Sequence, residues 1–187
     1  MLYAAYGSNL HPLRLTQRIA SARLVATRFL PGWSLHFHKL SQDGSGKCNI
    51  LRGGDGVHFA IFDICTADKR VLDRIEGVGV GYSNASLSIP GLGDCATYAA
   101  QPSHIDDSLA PYDWYKELVL TGARLHGFSD KYLDRIESTL AHADPHPDRR
   151  IRSWKTVDWV KTGTLKGRPD GRRAKRRSGE LVFETKT

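Results

Sequence analysis

Tyr3-Ala4-Ala5-Tyr6-Gly7-Ser8-Asn9-Leu10 is the stretch on which the reading of this chain turns. Leu2 to Tyr6 has the unbroken apolar character of a short strand buried on both faces. Gly7-Ser8-Asn9 then interrupts the run, and Pro12 suits the first turn of a helix through about Ile19. A turn of small residues directly after a strand can aim several backbone N–H groups at one point, forming a cradle for a carboxylate or phosphate. Gly7 permits the unusual dihedrals, and Ser8 and Asn9 add side-chain donors. A plainer reading also stands, in which Ser8 or Asn9 caps the helix that follows.

Outward from this segment the first half is strand-rich. Arg23 to Phe29 and Trp33 to Lys39 flank the turn-forming pair Pro31-Gly32 and read as a hairpin; Lys47 to Leu51 and Val57 to Cys65 continue the pattern across Gly53-Gly54-Asp55-Gly56. Thr66 reads as the N-cap of a helix over Ala67 to Ile75, with Gly77 where a C-cap glycine belongs. Strands are expected at Tyr82 to Ile89 and Cys95 to Ala100, and helices at Tyr112 to Leu125 and, capped by Ser129, Asp130 to Leu140. An open sheet of six or seven short strands would leave edges exposed. The expectation is therefore an α+β fold, a small closed mixed β-barrel with flanking helices. The turn formers from His142 to Asp148 mark the domain end, giving a domain at 1–143 and a basic C-terminal extension at 144–187.

The 187 residues suit one well-formed core, since domains hold roughly 100 to 200. Charge is uneven: residues 146–187 carry a net +8 and the remainder −1, so the basic character belongs to the tail and is no reason to read the body as a nucleic-acid binder. Nucleic acid is a partner only through that tail, where Arg168 to Ser178 is expected to be disordered and Trp154 and Trp159 lie on an amphipathic helix or a basic-aromatic strip. No apolar run approaches the roughly 20 residues of a membrane span, and the start lacks a signal-peptide pattern, so a cytoplasmic location without membrane contact is expected. Cys48, Cys65 and Cys95 are odd in number and widely spaced, and read as small core hydrophobes.

One pentapeptide occurs twice. Leu72-Asp73-Arg74-Ile75-Glu76 recurs as Leu133-Asp134-Arg135-Ile136-Glu137, so nothing intrinsic to it singles out either glutamate. Context does: Glu76 leads into Gly77-Val78-Gly79-Val80-Gly81-Tyr82, whereas Glu137 continues into Ser138-Thr139-Leu140 and reads as a solvated helix residue. A carboxylate at the carboxyl end of a helix is opposed by the macrodipole, and burial beside Tyr82 would add to the cost of ionisation. Both effects suit a group that accepts and returns a proton, although an exposed glutamate before a C-cap has the same local sequence.

Tyr3 to Leu10 and Glu76 to Tyr82, in that order, resemble the γ-glutamylcyclotransferase-like family, with its N-terminal F/Y-x-x-Y-G-S-N-L segment and later E-G-V-x-x-G-Y stretch on a small β-barrel. Thr97-Tyr98-Ala99 and Pro111 to Lys116, with the helix ending Val119-Leu120-Thr121-Gly122-Ala123, are similar to further parts of it. The resemblance implies cyclisation of a small-molecule γ-glutamyl amino acid or amine to 5-oxoproline with release of the amine. In that reading Glu76 is the catalytic acid and base. Tyr3, Ala4, Ala5, Tyr6, Gly7, Ser8 and Asn9 form the substrate-binding loop, Tyr82, Tyr98 and Tyr115 line the pocket, and neither metal nor cofactor is used. The link from Glu76 to Tyr82 is one residue shorter than in some members, and the last 40 or so residues lie beyond the resemblance.

Other chemistry is poorly supported. His36 and His38 alternate on one strand face but lack the third ligand expected of a zinc site. Ser8 has no G-x-S-x-G context for a nucleophile. The alternative of a different class is a binding or regulatory barrel without catalysis, directed to nucleic acid by its tail.

Overall fold

The computed structural model describes residues 1–163 together with the backbone of Arg176–Arg177 and Glu180–Leu181. β1 (Leu2–Ala5) has no polar face to offer solvent, and the fold places it at the centre of a sheet with Tyr3, Ala4 and Ala5 buried. After it come α1 (Pro12–Arg18), β2 (Arg23–Leu30), β3 (Trp33–Leu40), β4 (Gly46–Arg52) and β5 (Val57–Asp63). Then follow α2 (Thr66–Glu76), β6 (Tyr82–Ile89), β7 (Gly93–Ala100), α3 (Asp113–Leu125), α4 (Asp130–Glu137) and α5 (Pro147–Thr162), with β8 (Arg176–Arg177) and β9 (Glu180–Leu181) last.

The strands do not close into the expected barrel. They form a five-stranded mixed sheet in the order β2-β5-β1-β7-β6, with β1 antiparallel to β5 and parallel to β7, while β3 and β4 pair separately. The correction begins at Pro31-Gly32. The chain does turn there, with Gly32 at φ +73°, but β2 pairs with β5 and β3 with β4, so the turn hands the chain from one sheet to the other and is not a hairpin. The hairpins are β3–β4, β6–β7 and the short pair β8–β9.

Caps differ from expectation in an instructive way. His11, and neither Ser8 nor Asn9, caps α1, with Nδ1 accepting the Leu13 N–H at 3.2 Å. Cys65, not Thr66, caps α2, its Sγ accepting from the Asp68 N–H at 3.4 Å. That thiol is exposed, so only Cys48 and Cys95 are the core residues expected of all three. α4 stops at Glu137 instead of Leu140.

α5 lies on α3. Val157 and Val160 are buried against Leu118 and Trp114, and the wholly buried Asp144 carboxylate anchors the helix start through Arg149, at 2.7 Å from both Nε and Nη2, and through Trp114 Nε1 at 3.1 Å. These partners hold the Asp144 carboxyl down at about 2, Arg149 contributing most. Of the stretch Arg168 to Ser178 expected to be disordered, Arg176–Arg177 form β8, paired with Leu181 and Glu180 of β9, and the rest lies outside the described residues, as do nucleic-acid contacts of the tail beyond α5. Among the described residues no helix is long and apolar enough to cross a membrane.

Candidate active site

Three chain segments converge beside the end of β1: the turn Gly7-Ser8-Asn9, the last residue of α1 and the last residue of α2. Gly77 takes a left-handed conformation (φ +70°), with its N–H on Arg74 O and the Val78 N–H on Asp73 O, which ends α2 sharply. The Glu76 side chain is left turned inward, only 18% exposed. Its Oε1 accepts from Asn9 Nδ2 at 2.9 Å and from Arg18 Nη1 at 2.5 Å. Arg18 Nη1 also reaches Asn9 Oδ1 at 2.9 Å, and Asn9 Nδ2 reaches Tyr3 Oη at 3.1 Å. Glu76, Asn9 and Arg18 thus form a closed triangle, in which the Asn9 amide is spent on orienting the carboxylate and not on capping a helix. Glu76 Oε2 meets no donor among the described residues.

The triangle opens on a small, half-enclosed hollow. Tyr3, Tyr6, Gly7, Ser8 and Asn9 line it together with Glu76, Tyr82, Tyr98, Tyr115 and Cys48. Of the residues singled out from sequence, only Ala4 and Ala5 are absent from its wall, their short side chains buried in the core on β1. Sequence reasoning missed two participants. Cys48 arrives from β4 with no motif to mark it, and Arg18 is one arginine among many, betrayed only by its place at the end of the helix that follows the turn.

Gly7 is needed for closeness: a Cβ there would stand 3.0 Å from Cys48 Cβ and 3.4 Å from Tyr115 Oη. The Gly7 carbonyl accepts the Leu10 N–H at 2.9 Å, while the N–H groups of Gly7, Ser8 and Asn9 have no acceptor among the described residues. Unpartnered N–H groups at the wall of a hollow form a ready anion cradle.

The tyrosines divide by what their hydroxyls do. Tyr6 donates to Tyr98 O at 2.7 Å, Tyr82 to Cys48 O at 2.5 Å, and Tyr98 to Asp73 Oδ1 at 2.9 Å, so these three protons are committed to the scaffold. Tyr3 Oη accepts from Asn9, which leaves its proton for a ligand, while Tyr115 Oη accepts from the Cys48 N–H at 3.2 Å and also meets the Cys48 thiol. Burial raises all five phenols above their usual range, so they remain donors at neutral pH. Burial also pushes the Cys48 thiol up to about 12, which removes it as a nucleophile. Nearby, Arg14 has Nη1 on Gln17 at 2.9 Å and a buried Nε without an acceptor, and desolvation, with Arg18 beside it, brings its guanidinium down to about 10.

Among the described residues no group of three or more His, Cys, Asp or Glu side chains is arranged to hold a metal. His36 and His38 do stack, 4.7 Å between ring centroids. His36 is engaged by Ser34 at 2.8 Å, and His38 by Asp107 at 2.6 Å and Asn49 at 3.0 Å.

No protein-family model and no curated protein matches the sequence. Solved structures do. A γ-glutamyl cyclotransferase superposes with a TM-score of 0.69 at 21% identity, covering 84% of this chain and 98% of that one. An uncharacterized protein from Homo sapiens gives 0.68 at 21%, covering 84% and 97%. YkqA from Bacillus subtilis gives 0.61 at 19%, covering 75% of this chain and 55% of its own. The chain has the γ-glutamyl-cyclotransferase-like fold that its two motifs resemble.

Proposed function

We propose that this protein is a γ-glutamyl cyclotransferase that works without a cofactor, with Glu76 as its acid and base. The observation that carries the reading is the enclosed Glu76 carboxylate, fixed through one oxygen and free at the other, beside a turn of unpartnered N–H groups at the wall of the same hollow. A γ-glutamyl compound carries its own nucleophile. Folding it so that the α-amine meets the γ-carbonyl turns the reaction into an intramolecular one, an advantage of roughly 7 to 11 kcal/mol in well-oriented cases.

The Gly7-Ser8-Asn9 turn would hold the glutamyl α-carboxylate, and the free proton of Tyr3 is the donor available to the γ-carbonyl oxygen as negative charge develops there. Glu76 Oε2 takes a proton from the α-ammonium, and the bond from the α-nitrogen to the γ-carbonyl carbon forms. The bond from that carbon to the departing nitrogen then breaks as Glu76 returns the proton to it, and the second proton that the ring nitrogen must lose passes by way of Glu76 to the released amine, which leaves as an ammonium. The products are 5-oxoproline and an amine or amino acid. Tyr82 and Tyr98, whose hydroxyls are committed elsewhere, serve as walls, and Asn9 and Arg18 aim the carboxylate.

A panel of γ-glutamyl amino acids and γ-glutamylamines, assayed for 5-oxoproline, tests the proposal. Turnover of at least one member by the wild type and its loss in Glu76→Gln are expected. An inactive wild type across the panel, or a fully active Glu76→Gln, would refute it.

A further inference from the structure

The five-stranded sheet ends in two edge strands, β6 on one side and β2 on the other, and the sequence treats them differently. β6 carries exposed Ser83, Ser86 and Ser88, the polar surface of an edge that faces water. β2 carries Phe29, 48% exposed, together with the half-buried Leu24 and Val25. It also carries Arg28, whose Nη1 donates to the Thr27 carbonyl at 2.9 Å and which has no carboxylate partner among the described residues, whereas Arg23 meets Asp63 at 3.0 Å. Being consecutive, Arg28 and Phe29 stand on opposite faces of the sheet. An edge strand with an uncovered ring on one face and an unpaired guanidinium on the other is a template for a further strand.

The fold already brings a strand to it. β8 and β9 pair antiparallel, Arg176 with Leu181 and Arg177 with Glu180, and Cα atoms of β9 come within 8 Å of those of β2. Neighbouring strands lie about 4.8 Å apart, so this spacing leaves no room for another strand between them. From β9 the sequence reads Glu180-Leu181-Val182-Phe183-Glu184-Thr185, a run of strand formers without Gly or Pro. In a strand its alternation puts Leu181 and Phe183 on one face and Glu180 and Glu184 on the other. The apolar pair is what Phe29 lacks, and the carboxylates are what Arg28 lacks. Residues 164–175, between α5 and β8, reach up to about 40 Å when extended, more than the roughly 30 Å diameter of a small domain.

We propose that the free edge of β2 is a strand-docking surface whose occupant is segment 180–185 of the same chain, with its glutamates on the Arg28 face and Leu181 and Phe183 on the Phe29 face. The sheet then runs β8-β9-β2-β5-β1-β7-β6, and β2 becomes an interior strand. This holds whatever reaction the hollow catalyses.

Hydrogen exchange on the full chain tests it, with β6 as the uncovered edge for comparison. In the wild type, amides of β2 that point away from β5 should exchange at least about tenfold more slowly than the outward amides of β6, the scale of one or two net hydrogen bonds. Val182→Pro removes a ladder donor from the tail alone, and should bring the outward β2 amides to the β6 rate while leaving β1 and β5 unchanged. Arg28→Glu should lose part of the protection, and adding Glu180→Arg and Glu184→Arg should restore it. Sedimentation should give the mass of one chain, and protection should not change with dilution. Outward β2 amides as fast as those of β6 in the wild type, or still protected in Val182→Pro, would overturn the proposal. So would protection that fades as a dimer is diluted, which would assign the edge to a second copy. The comparison of β2 with β6 is made within the wild type, so it stands even where a variant fails to fold.

Discussion

The pentapeptide at 72–76 and its copy at 133–137 end in the same ion pair, and in only one place is that pair part of a site. Arg18 Nη1 meets Glu76 Oε1 at 2.5 Å; Arg124 Nη2 meets Glu137 Oε1 at 2.5 Å. The two glutamates differ in surroundings: the Glu76 and Arg18 side chains are each 18% exposed, those of Glu137 and Arg124 each 46%. Glu76 adds a second donor in Asn9 and faces a hollow, whereas Glu137 lies on the outer surface of α4. Identical sequence and identical pairing distance therefore give no common chemistry. Enclosure decides it, because a charge interaction strengthens as water is excluded.

The largest expected effect follows directly. Glu76→Gln keeps the shape of the side chain and removes its ability to shuttle a proton, and should lower the rate of 5-oxoproline formation by about 10²- to 10⁴-fold. Glu137→Gln should leave that rate at the wild-type level. A comparable loss in both would mean that the site has been placed at the wrong copy.

The copies also bury different edges of the same apolar stripe, which a stability measurement can read. In α2, Leu72 is wholly buried and Ile75 is 44% exposed; in α4, Ile136 is 1% exposed and Leu133 is only partly buried. α2 presents Leu72 to the core under the sheet, while α4 turns Ile136 inward beside Tyr132. Leu72→Ala and Ile136→Ala should each cost about 2–5 kcal/mol in denaturant unfolding, with Ile75→Ala and Leu133→Ala costing distinctly less. Equal costs for all four would contradict the rotated faces.

This rotation marks the limit of what the chain discloses as a string. Helical spacing puts Val71, Leu72 and Ile75 on one apolar stripe, but the tertiary partner chooses which part of the stripe is covered. The local signals that proved legible were those with a backbone cause: Gly77 ending α2 and the strand–turn–helix order at Tyr3 to Pro12. Convergence of Tyr82, Tyr98 and Tyr115 on that turn followed from the resemblance and not from any local rule. What stayed hidden was long-range. Nothing near Arg18 announces a carboxylate 58 residues away, and nothing near Cys48 announces Gly7. The separation of β2 from β3 was equally invisible, since a Pro-Gly turn fits either a hairpin or a change of sheet.

Acid titration separates the two neighbourhoods by a smaller amount. His11, at the cap of α1, and His58, stacked on Phe128 beside Tyr132, are each held down to about 4, by burial first and then by His126 and Arg135 respectively. Their folded-state values lie below the usual 6.5, so the unfolded chain binds more protons between those limits. Stability is full above pH 6.5 and falls as the pH drops toward 4, by on the order of 2 kcal/mol for each histidine. His11→Asn, which keeps a capping group, should remove one share of the slope, and His58→Phe, which keeps the ring stacking, the other. Unchanged slopes in both variants would exclude these histidines as the cause.

The smallest effect belongs to the second ion pair itself. Arg124 is half-exposed and shared, since Glu117 approaches its Nη1 at 3.3 Å while itself also meeting Lys161 at 2.9 Å. An exposed pair yields little Coulomb energy against the ordering of two long side chains, and here the arginine keeps an alternative acid when one is lost. Glu137→Gln should therefore change unfolding free energy by less than about 1 kcal/mol, with what remains vanishing as salt is raised. The carbonyl of Glu137 would still accept from Lys116 Nζ at 3.0 Å, so the end of α4 keeps its anchor in the variant. A loss of 2 kcal/mol or more that persists at high salt would mean that the outer pair is structurally as enclosed as the inner one, and the distinction drawn between the two copies would fail at its physical root.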